Sequence, residues 1–371
     1  MRNLLIISGS RADYNKISRI IKFLAKQHKI TMLLVDMHND NDYGYTGKYI
    51  FNDLNGFANV FVESIGDKQT SKTMNYFSWF ISHLDKYLST HNFDMTFVHG
   101  DRLSALAGSI VSSYHNIPVC QIEAGDVSGN IDESIRHAIT KFAHRFLVTD
   151  EICKERVLQL GEKEDSIFTI GLTSVFETGM HMEESNLSKI LGENYCILIY
   201  HPLFSKSSEE NLSNFKFILS SLNVFKGKIL LIHSNNDPKG DMIKKEYKNI
   251  CQSKNIIFKE NIPPEKYYYI LQNSKFIIGN SSSGICEAPY LGVPTIDIGN
   301  RQQGRTIGKN IDTVFHVEDQ SKELENLIKK VCASIFKKKK TLSVAEFEKR
   351  LERTFNDNFF NVNINKKFIM R

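Results

Sequence analysis

No apolar run in this chain of 371 residues approaches the ~18 residues a membrane-spanning helix needs. The first strand-like run, residues 4–7, is too short for the core of a signal peptide. A soluble, cytoplasmic protein without membrane insertion is therefore expected. Cysteine offers no scaffold either. The six cysteines, at positions 120, 153, 196, 251, 286 and 332, are scattered and form no CxxC pair. That argues against a disulfide framework or zinc site and for reduced thiols. Charge of one sign is scarce as well: 47 basic residues face 42 acidic ones, for a net charge of +5. Such a balance does not call for nucleic acid, but it suits an anionic small molecule. The HxxxH and HExxH pairs of helical metal sites are missing, as are the dinucleotide fingerprint and the Walker loop. No metal and no cofactor are expected.

What is present is a rhythm. Apolar runs at 4–7, 32–35, 95–98, 119–122, 196–200, 229–232, 276–278 and 295–298 alternate with amphipathic stretches. Short runs apolar on both faces suit strands buried in a parallel sheet, and the helix-like spacers argue for α/β. The halves echo each other. MTFVHGD leads through a helix to NIPVCQIEAG, and KFIIGNSSSG leads through a helix to LGVPTIDIGNRQ. Two Rossmann-like domains are expected, at 1–172 and 173–341. A last segment, 342–371, would carry a helix and tail packing back on the first domain. Ligands of such sheets bind beyond the carboxyl ends of the strands, so the polar turns of both domains would line one cleft.

Those turns carry the chemistry. In GSRADYNK, a tight turn opens a helix whose free N–H groups and Arg11 could hold an anion. A plain basic helix start explains it equally well. In HGDR, Asp101 is a candidate acid and Arg102 a phosphate clamp, while Asp101 could also simply cap a helix. In IEAGDVSGNIDESIRHAITK, four acids (Glu123, Asp126, Asp132 and Glu133) fall within eleven residues. The following helix has Ile135, Ala138, Ile139 and Phe142 on one face and Glu133, Arg136, His137 and Thr140 on the other. Acids favour a helix start by ~0.3–1 kcal/mol, which accounts for Asp132 and Glu133 but not for Glu123. Crowded carboxylates should raise one another's pKa and so serve proton transfer near neutral pH. GNSSSG has the pattern of a phosphate nest, with Ser281, Ser282 and Gly284 in it and Glu287 just beyond. GNRQQGR brings Arg301 to a glycine-rich turn. His201 in YHP closes a strand.

In this order and at these distances, SRADYNK, HGDR, IEAG with SGNIDESIRHAITK, GNSSSG and GNRQQGR resemble the UDP-N-acetylglucosamine 2-epimerase family, over about residues 1–310. RADY and DESIRHAITK resemble its hydrolysing branch, which supplies N-acetylmannosamine or related sugars for sialic-acid-type biosynthesis. The resemblance implies a GT-B fold and no cofactor or metal. It implies catalytic carboxylates at Asp101, Glu123 and Asp132, with active-site histidines at His201 and His38. It places diphosphate and uridine contacts at Arg11, Arg102, Ser281, Ser282 and Arg301, ribose recognition at Glu287, and further polar lining at Asn235 and Arg136. A nucleotide-sugar substrate and a homodimer are implied too. Ala124-Gly125-Asp126 replaces the branch's usual GGE, HPLFSK its HPVTT, and GLTS its GSP or GCP. Both a 2-acetamido and a 2,4-diacetamido-trideoxy sugar, on UDP or GDP, fit these positions. A GT-B glycosyltransferase shares the fold but has less use for clustered acids, and a non-catalytic nucleotide-sugar binder would be expected to have lost them.

Overall fold

The computed structural model describes residues 1–39, 46–66, 74–128, 131–173, 176–177, 186–203, 205–233, 241–250, 255–260, 262, 264–305, 311–336 and 342–367. It divides into two units: Met1–Ser174 with Ser343–Arg371, and Val175–Leu342.

The first unit is built on seven strands: β1 (Asn3–Ser8), β2 (Lys29–Leu34), β3 (Val60–Ser64), β4 (Met95–His99), β5 (Val119–Ile122), β6 (Arg145–Val148) and β7 (Ile167–Thr169). They pair in parallel in the order β3-β2-β1-β4-β5-β6-β7. Between them run α1 (Arg11–Leu24), α2 (Gly47–Leu54), α3 (Met74–Leu88), α4 (Leu103–Tyr114), α5 (Ile131–Phe142) and α6 (Glu151–Gln159). The four core runs foreseen here are all central strands, buried on both faces. Helix α1 shows why the chain turns where it does. Ser10 caps it by accepting from the Asp13 amide at 3.2 Å, and Ile17, Ile20, Ile21 and Leu24 bury one face at helical spacing.

The order reverses between β1 and β4, so the loops after Ser8 and His99 leave the sheet side by side. In doubly wound sheets this switch point is where ligands bind.

The second unit carries β8 (Phe176–Glu177), β9 (Tyr195–Ile199), β10 (Lys228–Ile232), β11 (Ile256–Lys259), β12 (Ile277–Gly279), β13 (Thr295–Ile298) and β14 (Val314–Val317). Its helices are α7 (Asn186–Leu191), α8 (Ser208–Ser221), α9 (Asp241–Ile250), α10 (Pro264–Asn273), α11 (Ser282–Cys286), α12 (Ala288–Leu291) and α13 (Leu324–Ala333). The parallel sheet runs β11-β10-β9-β12-β13-β14, which repeats the plan of the first unit with its own reversal between β9 and β12. The echo seen in the sequence is thus an echo of topology.

After the second unit the chain returns to the first as α14 (Val344–Thr354) and α15 (Asp357–Phe360). Phe355 and Phe359 pack on Phe97 of β4, and Phe355 on Phe23 of α1. Phe347 and Leu351 are buried.

One helix departs from its apolar pattern. On α5, Arg136 and Thr140 are 1% and 0% exposed, while Ile135, Ala138 and Phe142 are only partly buried. Two residues of the face expected to be open, Arg136 and Thr140, are turned inward beside Ile139, while Glu133 and His137 stay partly exposed. Fully buried Gln121 of β5 explains this: its amide donates to the Arg136 carbonyl at 3.0 Å, and its oxygen accepts from the Thr140 hydroxyl at 2.8 Å. A polar strand side chain here outbids the apolar stripe.

Candidate active site

In the first unit, the carboxyl ends of β1, β4 and β5 gather five charged side chains. Asp13, in the first turn of α1, accepts from the Ser10 hydroxyl at 2.8 Å, and its carboxylate lies 3.3 Å from Arg102 Nε and 3.1 Å from His99 Nδ1. On its other side, His99 Nε2 lies 3.2 Å from Glu123 Oε2, outside hydrogen-bond geometry but within ion-pair reach. The same oxygen accepts from Lys16 Nζ at 2.8 Å. Lys16 and Asp13 share a face of α1 because they stand three residues apart. The alternation of acids and cations is Arg102–Asp13–His99–Glu123–Lys16.

This arrangement sets the charges. Burial opposes ionisation of Asp13, but Arg102, His99 and Ser10 outweigh it and hold the carboxyl well below the usual range. For Glu123 burial again opposes, and Lys16 and then His99 more than offset it, so the group is held ionised. This corrects the expectation that crowded acids raise one another's pKa. The nearest neighbours of Glu123 are cations, not acids. Burial alone would lower His99, yet Glu123 first and Asp13 with it raise its pKa and favour the imidazolium.

Glu123 is unusual in two further ways. It is 4% exposed, and its Oε1 is buried with no hydrogen-bond partner. Its backbone sits at φ 58°, a left-handed conformation that costs a non-glycine residue of order 1–3 kcal/mol. Two residues on, Gly125 holds φ 75° with its Cα against α6, where a Cβ would meet the Cys153 carbonyl oxygen at 2.2 Å. Only glycine lets the loop pass that close, and this loop swings Glu123 back toward β4.

Arg136 fixes the neighbourhood. Its Nη1 donates to the Glu123 carbonyl at 2.8 Å, and its Nη2 pairs with Asp101. Expected as a ligand-lining residue, it is instead buried and holds two acid-bearing loops together. Asp101 remains partly exposed. It does not cap α4, whose N-cap is Arg102. Asp132 lies in the first turn of α5, and Arg11 opens α1.

His38 requires a correction. It is fully buried, with Nε2 2.8 Å from Ser8 Oγ and Nδ1 2.8 Å from Thr46 Oγ1. Burial pushes its pKa down to about 4. Both nitrogens are taken, so the ring ties β1 to the loop before α2 and has none to offer a substrate.

In the second unit, the switch point is stapled by Asn280. Its side-chain oxygen accepts from the His201 amide at 2.7 Å, and its amide donates to the His201 carbonyl at 2.8 Å. Gly279, at φ 131°, passes so close to β9 that a Cβ would stand 1.9 Å from the Ile199 carbonyl oxygen. Ser281 caps α11, accepting from the Ser283 amide at 3.3 Å. Arg301 and Gln302 both donate to the Asn280 carbonyl, at 3.1 and 2.9 Å. His201, Ser281, Ser282 and Arg301 therefore cluster at the ends of β9, β12 and β13. Gly284 packs on β13, its carbonyl accepting from Thr295 Oγ1 at 2.6 Å. Glu287, between α11 and α12, is 7% exposed. Asn235 lies outside the described residues.

Three members of the charged network, Asp13, Lys16 and His99, were not singled out from the sequence although each lies within a motif that was. The available signal was the three-residue spacing of Asp13 and Lys16 in the first turns of α1, together with a histidine closing β4 immediately before Gly100-Asp101.

A sequence model of the UDP-N-acetylglucosamine 2-epimerase family matches residues 22–348. The UDP-N-acetylglucosamine 2-epimerase of Neisseria meningitidis is 32% identical, over 100% of this chain and 99% of its own. The polysialic acid biosynthesis protein P7 of Escherichia coli is 33% identical over 84% of this chain and 82% of its own. Among solved structures, the Methanocaldococcus jannaschii UDP-GlcNAc 2-epimerase, in complex with UDP-GlcNAc and UDP, superposes with a TM-score of 0.77 at 21% identity, covering 95% of this chain and 98% of that one. With two parallel Rossmann sheets, the likeness gives an α/β protein of the GT-B class. The chain belongs to the UDP-N-acetylglucosamine 2-epimerase family.

Proposed function

We propose that this protein is a hydrolysing 2-epimerase, converting UDP-N-acetylglucosamine and water to N-acetylmannosamine and UDP for sialic-acid biosynthesis. The observation that carries the reading is the placement of Glu123: buried, with one carboxylate oxygen lacking a partner and the other beside Lys16 and His99. That oxygen is open to a proton from the substrate, while Lys16 and His99 on the other oxygen make the group a weaker base than a free carboxylate. Beside it stands His99, whose imidazolium Glu123 and Asp13 favour and which can donate a proton in that form. In the first step a base takes the C2 proton, the C1–O bond breaks, and UDP departs with the bonding electron pair, leaving a C1=C2 glycal. Water then adds at C1 and C2 is protonated from the opposite face, giving the free epimer.

In this reading Asp101 and Asp132 are the further acids of the site. In the second unit Ser281, Ser282 and Arg301 hold the leaving diphosphate, Glu287 accepts from the ribose hydroxyls, and His201 is the active-site histidine. The E. coli relative supports a role in sialic acid supply. The hydrolytic outcome is supported by two relatives named as hydrolyzing UDP- or GDP/UDP-N,N'-diacetylbacillosamine 2-epimerases, 26% and 28% identical. Those two also favour a second reading, the same reaction on a diacetamido sugar.

Incubation with UDP-N-acetylglucosamine in deuterated water tests the proposal. Free N-acetylmannosamine with deuterium at C2 is the expected product. UDP-N-acetylmannosamine as main product overturns the hydrolytic reading. Turnover confined to a diacetamido analogue selects the second substrate.

A further inference from the structure

The far end of the chain reaches the helix that carries Arg136. Lys366 Nζ donates to two carbonyls at the C-terminal end of α5, Thr140 at 3.0 Å and Ala143 at 2.6 Å. It also pairs with Glu162 at 2.7 Å, a carboxylate only 4% exposed whose other oxygen is held by Lys141 at 2.7 Å. Its ammonium stands 5.2 Å from the centroid of the Phe146 ring. The last carbonyls of a helix have no partner within it, and a cation there also answers the helix dipole. Here that cation comes from 223 residues further along the chain.

The lysine is not loosely placed. Arg145, just beyond α5, donates to the carbonyls of Asn358, Phe359 and Asn361 at 2.8, 2.7 and 3.0 Å. The neighbouring His144 ring nitrogen lies 3.1 Å from the Ile364 carbonyl. These contacts hold the tail against the α5–β6 turn. From Thr140 the contacts continue inward without a break. The Thr140 hydroxyl reaches Gln121, Gln121 reaches the Arg136 carbonyl, and the Arg136 guanidinium reaches Asp101 and the backbone of Glu123. Buried polar chains of this kind fix position because each member loses a partner if its neighbour shifts.

We propose that Lys366 is a positioning residue for the reaction, setting the placement of α5 and, through Gln121 and Arg136, that of the Asp101 and Glu123 loops. The inference rests on reading those acids as part of the active site. A merely structural lysine would instead steady the tail and leave the site unaffected.

The test compares the full-length parent with Lys366→Met, which keeps most of the stem while removing the donor, and with Lys366→Arg. The Met variant should lose roughly tenfold in kcat, the scale of a small misplacement of catalytic groups. Its KM should stay within about twofold of the parent, since an interaction felt in the transition state leaves substrate binding intact. Deuterium uptake across residues 131–142 should rise, and the Arg variant should recover most of both effects. An unchanged kcat in the Met variant overturns the proposal. So does a fall in kcat without faster exchange in that segment, or one that Arg fails to rescue. Should the parent turn over no nucleotide sugar, the functional reading fails on its own. The exchange measurement then still decides the coupling: faster uptake that extends from 131–142 to the loops at 100–103 and 123–128 upholds it, and uptake unchanged in those loops overturns it.

Discussion

Replacing Glu123 with Gln separates charge from shape at the centre of the network. The amide keeps the volume and an acceptor oxygen for Lys16, but removes the negative charge that faces Lys16 at 2.8 Å and His99 at 3.2 Å. Removing one partner of a buried ion pair costs ~3–5 kcal/mol, because the other charge is stranded. The loss here should fall at the lower end, about 3 kcal/mol, since His99 can shed its proton and the Gln oxygen still accepts from Lys16. Turnover should fall by ~10²–10⁴-fold, the usual reach of acid–base catalysis. UDP affinity should hold, because the groups assigned to the diphosphate lie mainly in the second unit.

The pH dependence follows from the signs. Glu123 has a depressed folded pKa, so its contribution is present above its ordinary value of 4.5 and is lost as pH falls through the folded value. His99 has a raised folded pKa, so its contribution is full below 6.5 and fades as pH rises through the raised value. The stability gap between parent and variant should therefore be widest between those limits and narrow above them, where the Lys16 pair alone is left. Urea unfolding at several pH values reads the gap, and NMR of the imidazole should show the His99 pKa falling in the variant. A turnover within about threefold of the parent removes Glu123 from the chemistry. An unmoved His99 titration, or a gap that widens toward alkaline pH, refutes the electrostatic account.

Two further outcomes are expected. Arg301→Ala should weaken UDP binding by ~1.5–3 kcal/mol, the worth of a hydrogen bond to a charged group, and an unchanged Kd by calorimetry would take Arg301 out of the diphosphate site. Gly125→Ala places a Cβ 2.2 Å from the Cys153 carbonyl oxygen at φ 75°, so it should cost more than ~2 kcal/mol; a thermal melt like the parent's would show that the loop can move aside.

The eight apolar runs read from the sequence all fall in strands because central parallel strands are buried on both faces and leave an unbroken apolar signature. Strand β3 escaped notice for the opposite reason. It is an edge strand, VFVES, with Phe61 and Ser64 exposed. Strand β11, at the edge of the other sheet, is only partly buried along its length. That Asp101, Glu123, His201 and Arg301 stand just past strand ends was legible because polar groups there stand out against apolar runs. What they touch was not. That His38 turns into the core, that Arg136 lies under the site, and that Glu123 meets a lysine 107 positions away are facts of tertiary contact, which local pattern does not carry.

The return of α14, α15 and the tail to the first unit has a consequence for synthesis. The polypeptide emerges N-terminus first, at ~5–20 residues per second. Seven strands of the first sheet are available early, but Phe355, Phe359 and Lys366 appear only after Val175–Leu342 has been made. For on the order of ten to thirty seconds Phe97 and the end of α5 must wait on the ribosome without these partners. A chain stalled or cleaved near residue 342 would hold an almost complete first unit with an uncovered aromatic seam. Such nascent chains are the ones in which chaperone binding and protease sensitivity should concentrate.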